Sequence, residues 1–302
     1  LYHDLTPRVL ATPKHYAYIK IAEGCDHPCT FCVIPHYRGA FRSRRFESVI
    51  SEATRLFSQG IREINLIGQD TTCYGEDLGL KDGLALLLSR LAQIETGHEK
   101  WVRFLYAYPN KVTQKLLDTI AAHNSLVKYI DMPLQHASAS VLKRMKRGAN
   151  GDIFLKLIER IRKTIPGVAI RTSMIVGFPG ETEAEFRELL DFLEAAQLDR
   201  VGCFAYSPVE GAKANDLPGA LPDEVRGRVE RWYAESFMPM IRRQLGPQAK
   251  VDEFLPASAA LRSATLAKLP SAQLAMSVAA SCFVASLPMS SGVLLPGSAL
   301  VL

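Results

Sequence analysis

The sequence predicts an α/β fold: an open, partial (β/α)6 barrel followed by a C-terminal tail of different character. Three observations carry this expectation. Strand-like and helix-like segments alternate from Tyr16 to about Tyr206, which argues for parallel strands joined by helical crossovers. Apolar residues make up 48% of the 302 residues, enough to bury a sizeable core. The alternation stops two units short of a closed eight-unit barrel, so the barrel is expected to stay open.

The elements follow in order. "YAYIKIAEG" reads as the first strand, and "FESVISEATRLFSQG" as a helix with Val49, Ile50, Ala53, Leu56 and Phe57 on one face and Gly60 at its C-terminal end. "REINLIGQD" and "GLALLLSRLAQI" form the second unit, "WVRFLYAYP" and "TQKLLDTIAAH" the third. "KYIDMPLQ" precedes helices over "SASVLKRM" and "DIFLKLIERIRKT". "VAIRTSMIVGFPG" is a strand entering a Gly-Pro-Gly turn, and "TEAEFRELLDFLEAA" is a helix whose Thr182 and Glu185 have capping-box spacing. "DRVGCFAYS" is the sixth strand.

The net charge of +5, from 36 basic and 31 acidic residues, is mildly basic and only weakly points to a nucleic-acid or ribosomal partner. Six cysteines in a chain this long do not make a secreted disulfide scaffold, and metal binding in a reducing, cytoplasmic setting is expected instead. Residues 1 to 15 contain no apolar signal-peptide core. Three of the cysteines, Cys25, Cys29 and Cys32, fall in the pattern CxxxCxxC directly after the first strand, where active sites of such barrels lie. Three thiolates can ligate three irons of a 4Fe-4S cluster and leave the fourth open. The alternative is a zinc ion closed by His27 or His36. Cys73, Cys203 and Cys282 stand singly and read as packing residues, with Cys73 close enough to the second strand's end to face the cavity.

The CxxxCxxC motif with Phe31 before its third cysteine resembles the radical S-adenosylmethionine (SAM) superfamily. The resemblance implies that the open iron chelates SAM and that an electron from the cluster cleaves it to a 5'-deoxyadenosyl radical. "EGCDHPCTFCVIPHYRGAFRSR", "REINLIGQDTTCYGED" and "RTSMIVGFPGET", in this order, look like the methylthiotransferases. "GQDTTCYG", "LYAYPN" and "YIDMPLQHAS" favour the branch that methylthiolates an aspartate β-carbon in ribosomal protein S-twelve over the tRNA-modifying branch. The resemblance spans about Ala11 to Pro208. It implies a radical SAM core over residues 16 to 245, with residues 1 to 15 a linker from a missing N-terminal domain that would hold a second 4Fe-4S cluster. It also implies an electron donor such as flavodoxin or ferredoxin, and a C-terminal TRAM-like domain. Residues 246 to 302 lack that domain's β pattern; they are rich in Ala, Ser, Leu and Pro, and prolines at 270, 288 and 296 argue against a membrane span. A catalytically incomplete iron–sulfur fragment is a further alternative.

For the SAM pocket, the resemblance and the strand ends together suggest Phe31, Gly68, Gln69, Asp70, Gln135, Arg171, Ser173, Gly177 and Gly180. Gly68 to Asp70 close the second strand, near the methionyl part of SAM. Arg171 and Ser173 alternate with apolar neighbours and so share a face; a buried arginine there wants an anion, either the SAM carboxylate or a glutamate of the chain. Gly177 and Gly180, in "GFPGE", resemble the family's turn beneath the adenine. Gln135 and His136 end the fourth strand, where either can line the cavity or pack in the core. Arg38, Arg42, Arg44 and Arg45 form a basic run after the cysteines, suited to an acidic partner or to solvent.

Overall fold

Alternation of small or branched apolar residues with larger polar ones sets the strands. In β1 (Tyr16–Lys20), Ala17 and Ile19 are buried while Tyr16, Tyr18 and Lys20 face the other way. β4 (Glu63–Ile67) pairs in parallel with β1 and with β5 (Trp101–Phe104). A second parallel sheet holds β6 (Tyr129–Asp131), β7 (Ala169–Val176) and β8 (Arg200–Ala205) in that order. Two short strands, β2 (Ala22–Glu23) and β3 (Arg42–Ser43), pair antiparallel beside them. The structure, a computed structural model, describes residues 9–221 together with Arg228, Arg231, Trp232, Glu235, Ser236 and Pro239. The tail expected over 246–302, Cys282 and the first eight residues of the expected linker lie outside the described residues.

The two sheets meet at β5 and β6. Val127 N–H donates to the Val102 carbonyl at 3.0 Å, and Ala107 N–H donates to the Asp131 carbonyl at 2.8 Å. Six parallel strands therefore run in the order β1-β4-β5-β6-β7-β8 once this junction is included, and no pairing closes β8 onto β1 among the described residues. The open partial barrel expected from the sequence is the observed fold.

The helices cover the outer face. α2 (Phe46–Ser58) buries Val49, Glu52, Ala53, Leu56 and Phe57, so Glu52 takes a place in the face where Ile50, only partly buried, was expected. The reason is Arg44, itself 3% exposed, which pairs with Glu52 and donates to Ser48. Arg44 is thus a core ion pair and not part of the basic surface run. α3 (Gly83–Ala92), α4 (Gln114–Ala122) and α6 (Gly151–Thr164) pack their apolar faces on the same core. α4 and α6 begin at the side-chain caps Thr113 and Asn150.

α5 (Ala139–Arg144) and α7 (Glu183–Ala196) are joined by Glu185. Its carboxylate closes the capping box with Thr182 and takes two parallel bonds of 3.0 Å from Arg144, plus one from Ser140. Burial alone raises the Glu185 carboxyl, but the bonds from Arg144, Ser140 and the Thr182 backbone prevail and hold it at about 2, below its ordinary 4.5. A carboxyl depressed on folding stabilises the native state above its unfolded pKa and loses that contribution as pH falls toward the folded one. Glu185→Gln is therefore expected to melt at a lower temperature than the parent at pH 7. The gap should narrow as pH is lowered from 4.5 toward 2. Thermal melts followed by circular dichroism across that range check this, and a gap independent of pH would remove the ionic role.

Candidate active site

At the C-terminal end of β1 the chain turns sharply at Gly24 into the cysteine loop. Gly24 has φ of +80°, and a Cβ there would lie 2.2 Å from the Ala40 carbonyl oxygen, so only glycine fits. Its N–H donates to Gln69 Oε1 at 2.8 Å, and the next N–H, of Cys25, donates to the Gly39 carbonyl at 3.2 Å. The far end of the loop is anchored by buried Thr30. Its N–H donates to the Met145 carbonyl at 3.1 Å and its hydroxyl to the Arg144 carbonyl at 2.9 Å. The loop then enters α1 (Ile34–Arg38), a short helix started by Pro35.

Cys25, Cys29 and Cys32 are all half-buried. Burial is the main cause that raises the Cys25 thiol to about 11 and the Cys32 thiol above its ordinary value, and the neighbouring thiols add to both. The thiols therefore sense one another, and a metal centre bound there must displace their protons. The zinc alternative loses its fourth ligand. His27 Nε2 lies 2.6 Å from Asp70 Oδ2 and its ring stacks on Tyr108 at 3.7 Å, while His36 is exposed on α1 with its ring 5.2 Å from Tyr37. Among the described residues, the trio of candidate ligand atoms within 4.8 Å of one another is His27, Asp70 and Cys73. The three loop sulfurs form no such trio. The donor set fits a 4Fe-4S cluster.

A cavity of about 280 Å³ opens beside the loop. Phe31 reaches it from the loop, Gln135 from beyond β6, Ser173 and Ile175 from β7, and Phe204 to Ser207 from the end of β8. Phe31, Gln135 and Ser173, singled out in the sequence, thus come together. The rest of that set is not in the lining of this cavity. Gln69 braces Gly24. Asp70, nearly buried, takes bonds from His27, from the Thr72 N–H at 2.8 Å and hydroxyl at 2.5 Å, and from the Cys73 thiol at 3.1 Å. Burial would raise the Asp70 carboxyl, but these bonds outweigh it and lower its pKa. Gly68 sits against Ala22. Gly177 and Gly180 both have φ of +73° and shape the turn after β7; Gly180 N–H donates to the Gly219 carbonyl at 2.8 Å.

Arg171 lies with Ser173 on the half-buried face of β7, but its guanidinium donates to Asp131 at 2.7 Å. The anion it requires comes from the neighbouring strand, and from an aspartate where a glutamate was considered. His136 is fully buried, with Nδ1 accepting from the Ser138 N–H at 3.0 Å, and belongs to the core. Cys203 is buried as expected, and Cys73 is half-buried against Asp70.

Sequence reasoning missed Tyr108 and Arg147. Arg147 Cζ stands 4.4 Å from the Tyr108 ring centroid and its Nη1 lies 3.7 Å from Cys29 Sγ. It also missed Phe204, Ala205, Tyr206 and Ser207, although their position at the end of the sixth strand was the signal that could have found them.

An open parallel barrel with a three-cysteine loop at the C-terminal end of its first strand, beside a cavity, defines a cluster-dependent radical enzyme architecture. The chain belongs to the radical SAM superfamily, whose family model matches residues 19–193. Within it, the chain is 81% identical over 221 residues to the ribosomal protein uS12 methylthiotransferase RimO of Solibacter usitatus, covering 73% of this chain and 48% of that protein. It is 67% identical over 222 residues to the protein of the same name from Koribacter versatilis, covering 74% and 44%. The chain thus spans about half the length of these curated relatives. The coproporphyrinogen III oxidase HemN of Escherichia coli shares the fold at a TM-score of 0.54 and 14% identity, over 76% of this chain and 52% of that one. The methyltransferase TsrM of Kitasatospora setae does so at 0.52 and 19%, over 64% and 38%.

Gly24→Ala is expected to push the loop off the Ala40 carbonyl and to lose most of the iron bound after anaerobic reconstitution, as each of Cys25→Ala, Cys29→Ala and Cys32→Ala should. Cys203→Ala should bind iron like the parent. Iron and sulfide assays with absorbance spectra check this, and parental iron in Gly24→Ala would show that the backbone approach is dispensable.

Proposed function

We propose that this chain is the radical-generating core of a methylthiotransferase that modifies the β-carbon of an aspartate in ribosomal protein uS12. The observation that carries the reading is the three-cysteine loop at the mouth of a barrel whose sequence is 81% identical to a protein of that name. When bound, the cluster and SAM would supply a 5'-deoxyadenosyl radical able to abstract a hydrogen atom.

The chain's own residues hold and shape this site. Cys25, Cys29 and Cys32 supply three thiolates, leaving one iron position for SAM. Phe31, Gln135 and Ser173 wall the cavity beside them, and this cavity is assigned to SAM. Gln69 and Asp70 brace the loop through Gly24 and His27, and Gly68 packs against Ala22 beside them. Gly177 and Gly180 let the turn after β7 pass close to a flat ring, and Arg171, fixed by Asp131, adds a cationic group on the β7 face. The substrate would be ribosomal protein uS12, free or in the small subunit, and the reductant a low-potential carrier such as flavodoxin or ferredoxin, in the cytoplasm. No helix among the described residues is long and apolar enough to cross a membrane. A tRNA substrate is the competing reading, and the names of the relatives favour the ribosomal protein. Sulfur delivery is assigned to a second 4Fe-4S cluster outside these 302 residues, because Cys73, Cys203 and Cys282 lack cluster spacing.

Two outcomes are expected from these 302 residues alone. Anaerobic incubation with SAM and dithionite should yield 5'-deoxyadenosine, while mass spectrometry of uS12 and of tRNA should find no methylthio adduct. An adduct on tRNA, or no 5'-deoxyadenosine from an iron-loaded sample, would overturn the reading. Ser173→Leu should fill part of the cavity and weaken SAM binding about tenfold, roughly 1.4 kcal/mol, with iron content intact. Calorimetry on the reconstituted variant measures this, and an unchanged affinity would place SAM elsewhere.

A further inference from the structure

Arg147 follows α5 and returns to the cysteine loop from the opposite sheet. Its Nη2 donates to the Pro133 carbonyl at 2.5 Å, its Cζ stands 4.4 Å from the Tyr108 ring centroid, and its Nη1 points at Cys29 Sγ from 3.7 Å. The Tyr108 ring also carries His27, stacked at 3.7 Å and 8°. One ring face has room for one planar partner at such distances, so His27 and Arg147 take opposite faces. His27 is fixed in turn by Asp70 at 2.6 Å. The guanidinium is therefore held by a carbonyl, an aromatic face and the stack behind it, and its Nη1 is directed at a cluster cysteine. Its charge also acts on Cys32, opposing the burial that raises that thiol.

We propose that Arg147 is a positioning residue that sets the reduction potential of the cluster held by Cys25, Cys29 and Cys32, through a charge-assisted N–H···S bond to the Cys29 thiolate. The inference rests on the cluster reading of the site. Adding one electron to the cluster increases the negative charge on its sulfurs. A cation fixed against one of those sulfurs stabilises the reduced form more than the oxidised form and raises the potential. Arginine suits this role because it stays charged at any relevant pH and its planar fork stacks on an aromatic ring while donating from its edge. A group already held in place reorganises little when the charge arrives.

The test compares the full 302-residue chain with Arg147→Gln and Arg147→Lys, each reconstituted anaerobically with iron and sulfide. Each is titrated with dithionite in the presence of mediator dyes, and the reduced cluster is followed by electron paramagnetic resonance. Arg147→Gln is expected to make reduction about tenfold less favourable, a shift of about 59 mV to lower potential for one electron, at parental iron content. Arg147→Lys keeps the charge but loses the stacked fork, and should fall between. An unchanged potential in iron-loaded Arg147→Gln overturns the proposal. Should that variant hold too little iron to titrate, Arg147→Lys decides: a lowered potential supports the proposal and the parental potential defeats it. A parent chain that assembles no iron–sulfur cluster defeats the cluster reading itself, and this inference with it, and is distinguished from the first failure by its spectrum.

Discussion

The site depends on one steric constraint, the absence of a side chain at Gly24. Only there does the backbone leaving β1 pass close enough to the Ala40 carbonyl for Cys25 N–H to reach Gly39. That contact joins the start of the cysteine loop to the segment that returns from it, and the short β2–β3 pairing holds the two together. Gln69, at the end of β4, braces the same turn through the Gly24 N–H. A loop of this kind cannot satisfy its own backbone groups by regular structure, so each anchor comes from a different element. The near end is held by β3 and β4, the far end by α5 through Thr30. Three thiols are thereby directed from one short segment without a helix or strand to carry them.

The second constraint is the junction between the sheets. It rests on backbone bonds such as those of Val127 to Val102 and Ala107 to Asp131; beyond them Pro133 has no N–H to donate, and on the β7 side Leu134 N–H bonds to the Thr172 hydroxyl at 3.0 Å. The stack of His27, Tyr108 and Arg147 crosses this junction: His27 comes from the loop after β1, Tyr108 from beyond β5, and Arg147 from beyond α5. It ties the two sheets together at the end where the cavity opens. The same side chains that cross the junction also surround the cysteines, so the packing of the mouth and the electrostatics of the metal site are set by the same contacts.

Most of the strands and helices were legible because their apolar residues recur with the period of the element over five or more positions. The capping box of α7 was legible from Thr182 and Glu185 alone. Short elements were not: α1 and β3 are too brief to express a period. The strand expected across "WVRFLYAYP" ends at Phe104, because Tyr106 takes φ of +62° and turns the chain. Periodicity of apolar residues also could not register the Arg44–Glu52 pair, whose members are buried because they meet each other. At the site, the three cysteines were readable from their spacing, which is local. Arg171 was read as pointing toward a ligand because alternation identifies a face, and Asp70 because it closes a strand that the resemblance puts near SAM, whereas their partners, Asp131 and His27, come from distant segments. Arg147 and Tyr108 carried no spacing signal for the same reason.

Two non-glycine residues with positive φ stand at adjacent strand ends, Tyr106 at +62° and Gln135 at +74°. Each such conformation costs on the order of 1–3 kcal/mol and persists only where its surroundings over-determine it. Here they do. The Tyr106 carbonyl accepts from Thr71 N–H at 3.2 Å, and the Gln135 N–H and carbonyl both engage β7, with Ser173 at 2.9 Å and Ile175 at 2.7 Å. A glycine at either position would relieve the strain at no steric cost, yet Gln135 presents its side chain to the cavity, which glycine cannot do. The left-handed residue still bridges Met174 of β7 in parallel, and its side chain lines the cavity together with Ser173 and Phe31. The strain is thus located where the chain keeps its bonds to β7 and also places a side chain at the mouth of the barrel. Gln135 therefore serves the sheet through its backbone and the cavity through its side chain.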